Sequence, residues 1–506
     1  MTHCKQSFST RKNPNRLLVN VGAMLLLPVM MFSLVGSRPY QSTSDAYLSR
    51  QAAALQPAFQ SDLEHLANAP RYTLQATVDP QSGSVAGRMM LRFTNNTPDT
   101  LPELAFRLFP NATAIYGGGS LNVTGVTEGG ASLKTTLSHD RTVLHVLLQH
   151  PLEPKKAISV ELTFNAQVPE QSTQGYGIFN RALGVTSLAG WYPLLAPYNH
   201  GWQAPPVWWV GDAMWAETSL YEVMLTLPAG YQVVSTGVSV GQQASNDQVT
   251  WHIVSGPARE FAAALSGRFQ VFETQKDGVT LHYYALPAQR SINSPKDGLG
   301  IMTEAFDTYV NRFGPYPFPE LDMVENRVTV DGYEFSSMVE IDYIARTQSR
   351  LNDYQYFVAH EVAHQWWYGL VGDSSVYEPW LDEGFATYSA VIYLGDTEGA
   401  QAANRMLAAW KNAEGPHGPN DPPLNSSTPD FSSWASYHRI VYTHAAFFLD
   451  QLRQELGDDK FFELLKRYQA TYRYELVTTT DFLNITQQVA GRDLSPLFSA
   501  SFAPQD

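Results

Sequence analysis

The sequence predicts a multidomain α+β protein, an all-β amino-terminal portion followed by a mixed, mainly helical one. Three observations lead there. Apolar residues recur at period two from Tyr72 to Leu227, they recur at helical period from Ile301 onward, and 506 residues suffice for about three domains of roughly 150 each. Charged residues are 16% and aromatic residues 12% of the chain. That balance is opposite to the charge-rich, hydrophobe-poor composition of disordered chains. With 33 Lys+Arg against 48 Asp+Glu the net charge is -15, which argues against a nucleic-acid partner.

The first element is residues 1–40. Lys5, Arg11, Lys12 and Arg16 form a basic head before an apolar run from Leu17 to Val35, interrupted only by Asn20, Gly22, Pro28 and Ser33. A cationic flank is retained in the cytoplasm while the apolar stretch enters the membrane, so a secretory signal or a membrane anchor is expected. Val35-Gly36-Ser37 offers small residues for cleavage, yet the run approaches the roughly 20 residues that span a bilayer; both readings stand. Either way the remainder is expected to be extracytoplasmic: secreted, periplasmic or attached to a membrane. The single cysteine, Cys4, precedes the run, so a metal site in the exported part has to use His, Asp and Glu.

Residues 41–70 are polar and rich in Ala, Leu and Gln, compatible with one short helix. Residues 71–285 read as the β-rich domain: Tyr72, Leu74, Ala76 and Val78, then Met89, Leu91 and Phe93, then Leu104, Phe106 and Leu108, then Ile158, Val160, Leu162 and Phe164 alternate with polar neighbours. Asp79-Pro80, Asn95 to Asp99 and Gly129-Gly130 punctuate them as turns. No catalytic constellation is evident in this stretch. Residues 286–506 form the second domain: a helix around Ile301 to Phe313, a strand near Leu321 to Val330, and helices from Asn352 onward, broken by a proline-rich loop from Gly415 to Pro429.

The chemistry concentrates at His360-Glu361-Val362-Ala363-His364. Positions i and i+4 of a helix face the same way, so both imidazoles meet one metal with Glu361 beside them, a pattern suited to zinc. Eighteen residues beyond His364 stands Glu383, within Trp380-Leu381-Asp382-Glu383-Gly384-Phe385-Ala386 at the start of another helix. Two neutral imidazoles and one carboxylate leave a tetrahedral zinc one open position, as catalytic sites require. Asp382 suits either of two tasks, orienting a ligand histidine or capping its helix.

These two segments together resemble the aminopeptidase-N family of zinc metallopeptidases, the group of alanyl aminopeptidase and leukotriene hydrolase. The likeness extends more loosely through Tyr72 to Asn111, Trp191 to Gly237, Phe313 to Val324 and Val441 to Phe498. It implies a β-rich domain packed on a thermolysin-like catalytic domain with one zinc ion, acting on peptide substrates. The family's Gly-x-Met-Glu strand motif, whose glutamate binds the substrate's free amino group, is similar to Asp331-Gly332-Tyr333-Glu334, 26 residues before His360 at its glutamate. Glu334 is thus the candidate, with Glu340 competing and Ser336-Ser337 in place of the family's usual residues. The family's Tyr-x-Lys-Gly motif, which supplies a tyrosine to the oxyanion, is similar to Tyr442-Thr443-His444-Ala445, 82 residues after His360; Tyr437 is the nearby substitute. Glu361 is then the general base and Tyr442 the oxyanion donor. The family's further helical domain is not matched after Phe498, so a more open cleft is expected. An open-cleft endopeptidase or other zinc hydrolase, and a non-catalytic scaffold, are the alternatives to an aminopeptidase.

Overall fold

The period-two stretches pair into an eight-stranded sheet in the order Val238–Ser245, Gln248–Ala258, Ser219–Pro228, Arg71–Asp79, Ser84–Thr94, Ala157–Gln167, Ser120–Glu128, Ala131–Ser132. A computed structural model describes this and all that follows for residues 44–171, 174–418 and 421–503. The expected signal or anchor at residues 1–40 lies outside the described residues, among which no helix is long and apolar enough to cross a membrane. Alternation sets the register: Tyr72 faces Leu91, Leu74 faces Met89 and Met89 faces Leu162, all buried, while Gln75 and Thr77 point to solvent. Two four-stranded sheets share the core of the eight-stranded one: Leu104, Phe106 and Val146 from one and Leu188 and Leu265 from the other pack in one cluster with Leu74 and Met89.

The segment before the first strand is not the single helix its composition suggests. It breaks into Ser44–Gln51, Ala52–Ala54, Pro57–Phe59 and Asp62–His65, with Pro57 opening its own turn because a proline nitrogen cannot continue the preceding one. It ties two layers together. Gln51 donates to Tyr221 O at 2.9 Å and accepts from Gly256 N at 2.9 Å, whereas Gln56 donates to Tyr316 O at 2.6 Å.

A five-stranded mixed sheet follows, ordered Gln270–Lys276, Val279–Ala285, Glu320–Asn326, Met338–Asp342, Gly332–Phe335. Its first two strands, which precede residue 286, pair directly with Glu320–Asn326. Between Ala285 and Glu320 runs the helix Pro295–Phe313, started by a Ser294/Asp297 capping box with Pro295 in the first turn. The strand expected to reach Val330 stops at Asn326, whose side chain is turned into buried hydrogen bonds with Gly177 O and Glu340. Residues after it leave the sheet and return as the edge strand Gly332–Phe335, a position that exposes one side of the strand to whatever packs beyond it.

The helix Leu351–Ala363 packs on this sheet, and Trp380–Thr397 packs on that helix. The second is buried at every position from Trp380 to Leu394, as an all-round apolar helix must be. The first ends at Ala363, so Trp366 and Trp367 sit in the following turn rather than on the helix. There their indoles donate to Gly314 O at 3.0 Å and Ser389 Oγ at 3.1 Å.

Two buried polar groups on this sheet set its stability. Arg346 brackets Glu325, donating from Nη2 at 3.0 Å and also from Nε, while Leu286 N donates to the same carboxylate at 2.7 Å; the two side chains are 2% and 0% exposed. Glu340 has no cation. Ser187 Oγ lies 2.5 Å from one oxygen, Asn326 Nδ2 donates to the other at 3.0 Å, and burial against these bonds pushes the carboxyl up to about 7.

Arg346→Met is expected to cost about 3–5 kcal/mol, because it strands a buried carboxylate; a shift in urea midpoint with unchanged slope is the readout, and a neutral result would refute the pairing. For Glu340 the raised folded pKa means that stability is full below the unfolded value of 4.5 and is lost as pH rises through about 7. Glu340→Gln should therefore gain up to about 3 kcal/mol relative to the native chain between acid and mildly alkaline pH. The two thermal-midpoint curves should separate across that window, and parallel curves would contradict the assignment.

Candidate active site

His360 sits in the last turn of Leu351–Ala363 and His364 caps that helix, while Glu383 lies in the first turn of Trp380–Thr397. The three converge. His360 Nε2 is 3.1 Å from His364 Nε2 and 3.1 Å from Glu383 Oε2, and His364 Nε2 is 3.4 Å from the same oxygen. Around a tetrahedral ion with ligand bonds of roughly 2.0–2.2 Å, the ligand atoms stand about 3.4 Å apart, so this triangle has the size that zinc requires. His364 Nδ1 faces Trp367 O at 3.1 Å and must carry the proton there, which leaves a lone pair at Nε2 toward the cluster. His360 Nδ1 is 3.5 Å from Thr387 Oγ1. Asp382 is the third residue of its helix, whose N-cap is Pro379 without a side-chain capping bond; its carboxyl accepts from Glu383 N at 2.6 Å, so it does not take the cap role.

The cluster lies at the end of a cavity of about 310 Å³ lined by Asp212, Asp331, Gly332, Glu334, Glu361 and Tyr442 as well as the three convergent residues. Glu361 projects into it with Oε2 unpartnered, against the Gly332 backbone; a Cβ at Gly332 would stand 2.4 Å from Glu361 Oε1. A side chain there would displace the Glu361 carboxyl. Asp331, where the resemblance leads one to expect glycine, adopts φ +71, the left-handed region that a glycine enters freely and an aspartate tolerates.

Glu334 is 4% exposed, and ligand-type atoms of Glu334, Glu361 and His364 all lie within 4.8 Å of one another. Glu340 is turned away into its bonds with Ser187 and Asn326. Tyr442 reaches the cluster by donating to Glu383 Oε1 at 2.5 Å, from a π-helical turn, His438–His444, that precedes the helix Ala445–Leu456. Tyr437 is fully buried with an unpartnered hydroxyl and does not line the cavity.

Charge is the dominant feature. Burial raises the carboxyls of Asp212, Glu334 and Glu361, and neighbouring carboxylates raise them further. Burial opposes ionisation of Glu383 too, but the hydrogen bonds and charges of His360 and His364 outweigh it and hold that carboxyl well below the usual range. Burial also lowers His360, keeping its ring neutral and able to donate a lone pair.

Three cavity residues escaped the sequence reading. Asp212 comes from the β-rich half, where its carboxyl bonds to those of Glu383 and to the Tyr333 hydroxyl. The available signal was one acid within the aromatic stretch Trp208-Trp209-Val210-Gly211-Asp212. Tyr356 lies one turn before His360, and the ring of His438 stacks on Tyr442 at 4.9 Å. The departures around Glu334 have partners as well. Tyr333 meets Asp212, Ser336 Oγ accepts from Arg259 N at 3.0 Å and Ser337 Oγ accepts from Gly237 N at 2.8 Å, so this turn is fastened to the β-rich half.

Residues 298–500 match the family described as Peptidase family M1 domain. Similar proteins include Aminopeptidase M1-D of Oryza sativa subsp. japonica, 27% identical over 40% of this chain and 24% of the relative, and Aminopeptidase N of Homo sapiens, 26% identical over 44% of this chain and 24% of the relative. The chain thus spans about a quarter of the length of the curated relatives it matches. In fold it is similar to the M1 zinc metallopeptidase from Deinococcus radiodurans, with a TM-score of 0.66 and 19% identity over 87% of this chain and 95% of that one. A substituted form of the same protein, solved with a Tyr-Ser-Ala substrate, has a TM-score of 0.66 at 18% identity. With the histidine-glutamate triangle and the glutamate beside it already in place, residues 298–500 are similar to the peptidase family M1 domain, and the described chain shares its fold with an M1 zinc metallopeptidase.

Proposed function

We propose that this chain is an exported zinc aminopeptidase that removes amino-terminal residues from peptides, with His360, His364 and Glu383 as the ligands of one zinc ion. The observation that carries the reading is the composition of the cavity. Carboxyls of Asp212, Asp331, Glu334, Glu361 and Glu383 surround it, and among the described residues no Lys or Arg lines it. One divalent ion satisfies the end at Glu383, and the end at Glu334 still favours a second positive charge. A peptide's α-ammonium supplies that charge, whereas an internal peptide bond does not.

When bound, zinc supplies Lewis acidity, lowering the pKa of a water from 15.7 toward about 7 and polarising a carbonyl. The residues of the chain do the rest. Glu361, buried and with a free oxygen toward the cavity, accepts the proton of the attacking water and passes it to the departing amine. Tyr442 stands where its hydroxyl can turn from Glu383 to the oxygen on which negative charge develops. Glu334 holds the ammonium group and thereby sets which carbonyl faces the base. The Tyr-Ser-Ala complex of the Deinococcus radiodurans relative supports a peptide as substrate. We further propose a β-rich domain from residue 71 and a catalytic domain that follows it, with the boundary moved from residue 285 to before Gln270 because Gln270–Lys276 and Val279–Ala285 join the sheet of Glu320–Asn326, and an extracytoplasmic location from the basic head and apolar run before Val35.

Glu361→Gln is expected to lower turnover by about 10²- to 10⁴-fold with zinc content unchanged, and Tyr442→Phe by about 10²- to 10³-fold through kcat; full activity in either variant would remove that residue from its role. A chromogenic amide with a free amino end should be cleaved and its acetylated twin should not, with Glu334→Gln erasing the preference chiefly through KM. Equal cleavage of the two substrates would favour the endopeptidase alternative.

A further inference from the structure

A second cluster of metal-ligating side chains lies behind the π-helical turn. His417 and Asp421 come from the loop after the helix Ala400–Glu414, and His444 comes from the end of the turn that carries Tyr442; one ligand-type atom of each lies within 4.8 Å of the others. His444 stands where the family motif has lysine, a departure that the peptidase chemistry does not use.

The hydrogen bonds prepare both rings. His417 Nε2 is 3.1 Å from Pro422 O and His444 Nε2 is 3.2 Å from Gly415 O. A carbonyl only accepts, so each Nε2 carries the proton and each Nδ1 presents a lone pair. Metal-ligating histidines are fixed in this manner, with the far nitrogen donating to a backbone carbonyl. Among the described residues His444 Nδ1 is buried without a hydrogen-bond partner, in a residue only 2% exposed, and an orphaned acceptor of that kind is costly unless something binds it. The rings face one another edge to face, 5.4 Å between centroids.

Asp421 completes the set. Its Oδ2 accepts from Gly418 N at 2.7 Å and Arg439 Nη2 at 2.8 Å, whereas Oδ1 accepts only from Arg439 Nη1 at 2.6 Å and keeps a lone pair. Ligating carboxylates are commonly oriented by such a donor.

We infer that His417, Asp421 and His444 form a second binding site for a divalent transition-metal ion, zinc in the first instance. Two imidazoles and a carboxylate suit zinc, nickel or copper and do not suit the all-oxygen preference of calcium or magnesium. Ligand atoms around such an ion stand about 3.4 Å apart, within the 4.8 Å that bounds these three. The ion then pins the proline-rich loop to the turn two residues from Tyr442, a structural task separate from the triangle at His360.

The test is zinc stoichiometry of the full-length protein, equilibrated with Zn²⁺, desalted and measured by mass spectrometry of the metal. Two ions per chain are expected for the native protein, and one each for His417→Ala, for His444→Ala and for the double variant His360→Ala/His364→Ala. A native protein with one ion that only the double variant removes would overturn the inference, as would two ions retained in both His417→Ala and His444→Ala. One ion removed by His417→Ala alone would keep this site and count against the catalytic one. His417 is half-exposed on a loop, so its variant stays informative where His444→Ala fails to fold. Chelation should also lower the thermal midpoint of the native chain more than that of His417→Ala, which retains peptidase activity.

Discussion

The fold is organised around the cost of burying carboxylates. Asp212, Glu334, Glu361, Asp382 and Glu383 are each less than a tenth exposed, and they share one region with the imidazoles of His360 and His364. A lone charge taken out of water costs far more than a domain's net stability. The chain meets that cost in two ways: Glu383 stays ionised against His360 and His364, and the other four are driven toward their neutral forms. Such a cluster of buried carboxyls favours cations.

Holding the cluster open demands walls that do not collapse onto it. The helix Trp380–Thr397 is enclosed on all sides, and the Trp366 indole packs among Phe306, Tyr309, Phe313 and Tyr316. At the seam with the β-rich half, Arg259 donates to Tyr368 O at 2.8 Å and Glu475 O at 2.8 Å, while Glu260 accepts from Ser336 N at 2.7 Å and from the Tyr368 hydroxyl. These bonds set the edge strand Gly332–Phe335, and Glu334 with it, at its distance from the histidines. The β-rich half is therefore part of the site's frame as well as the source of Asp212.

Departures from the family's motifs read as local substitutions with their own partners. Tyr333 bonds to Asp212, Ser336 and Ser337 dock the turn, Asp331 tolerates a left-handed backbone, and His444 faces His417. Tyr333, Ser336 and Ser337 have polar groups met from a distant segment, so no single motif could have foretold them.

The amino-acid sequence alone determined the β-then-helical order, the registers that burial of Tyr72, Leu74 and Met89 enforces, and the pairing of His360 with His364. All of these depend on periodicities of a few residues, which local backbone geometry converts directly into faces. It also placed Glu383 with them, because the intervening eighteen residues lie between two strongly patterned helices. Tertiary structure alone decided between Glu334 and Glu340, one facing the cavity and the other bonded to Ser187 from a different sheet, and between Tyr442 and Tyr437, one reaching Glu383 and the other sealed in the core. It alone revealed Asp212, about 150 residues upstream of the histidine helix, and broke the first predicted helix into pieces that clamp two layers. The physical reason is the same in every case: a buried polar side chain is placed by its partners, and those partners come from segments that only the folded chain brings together.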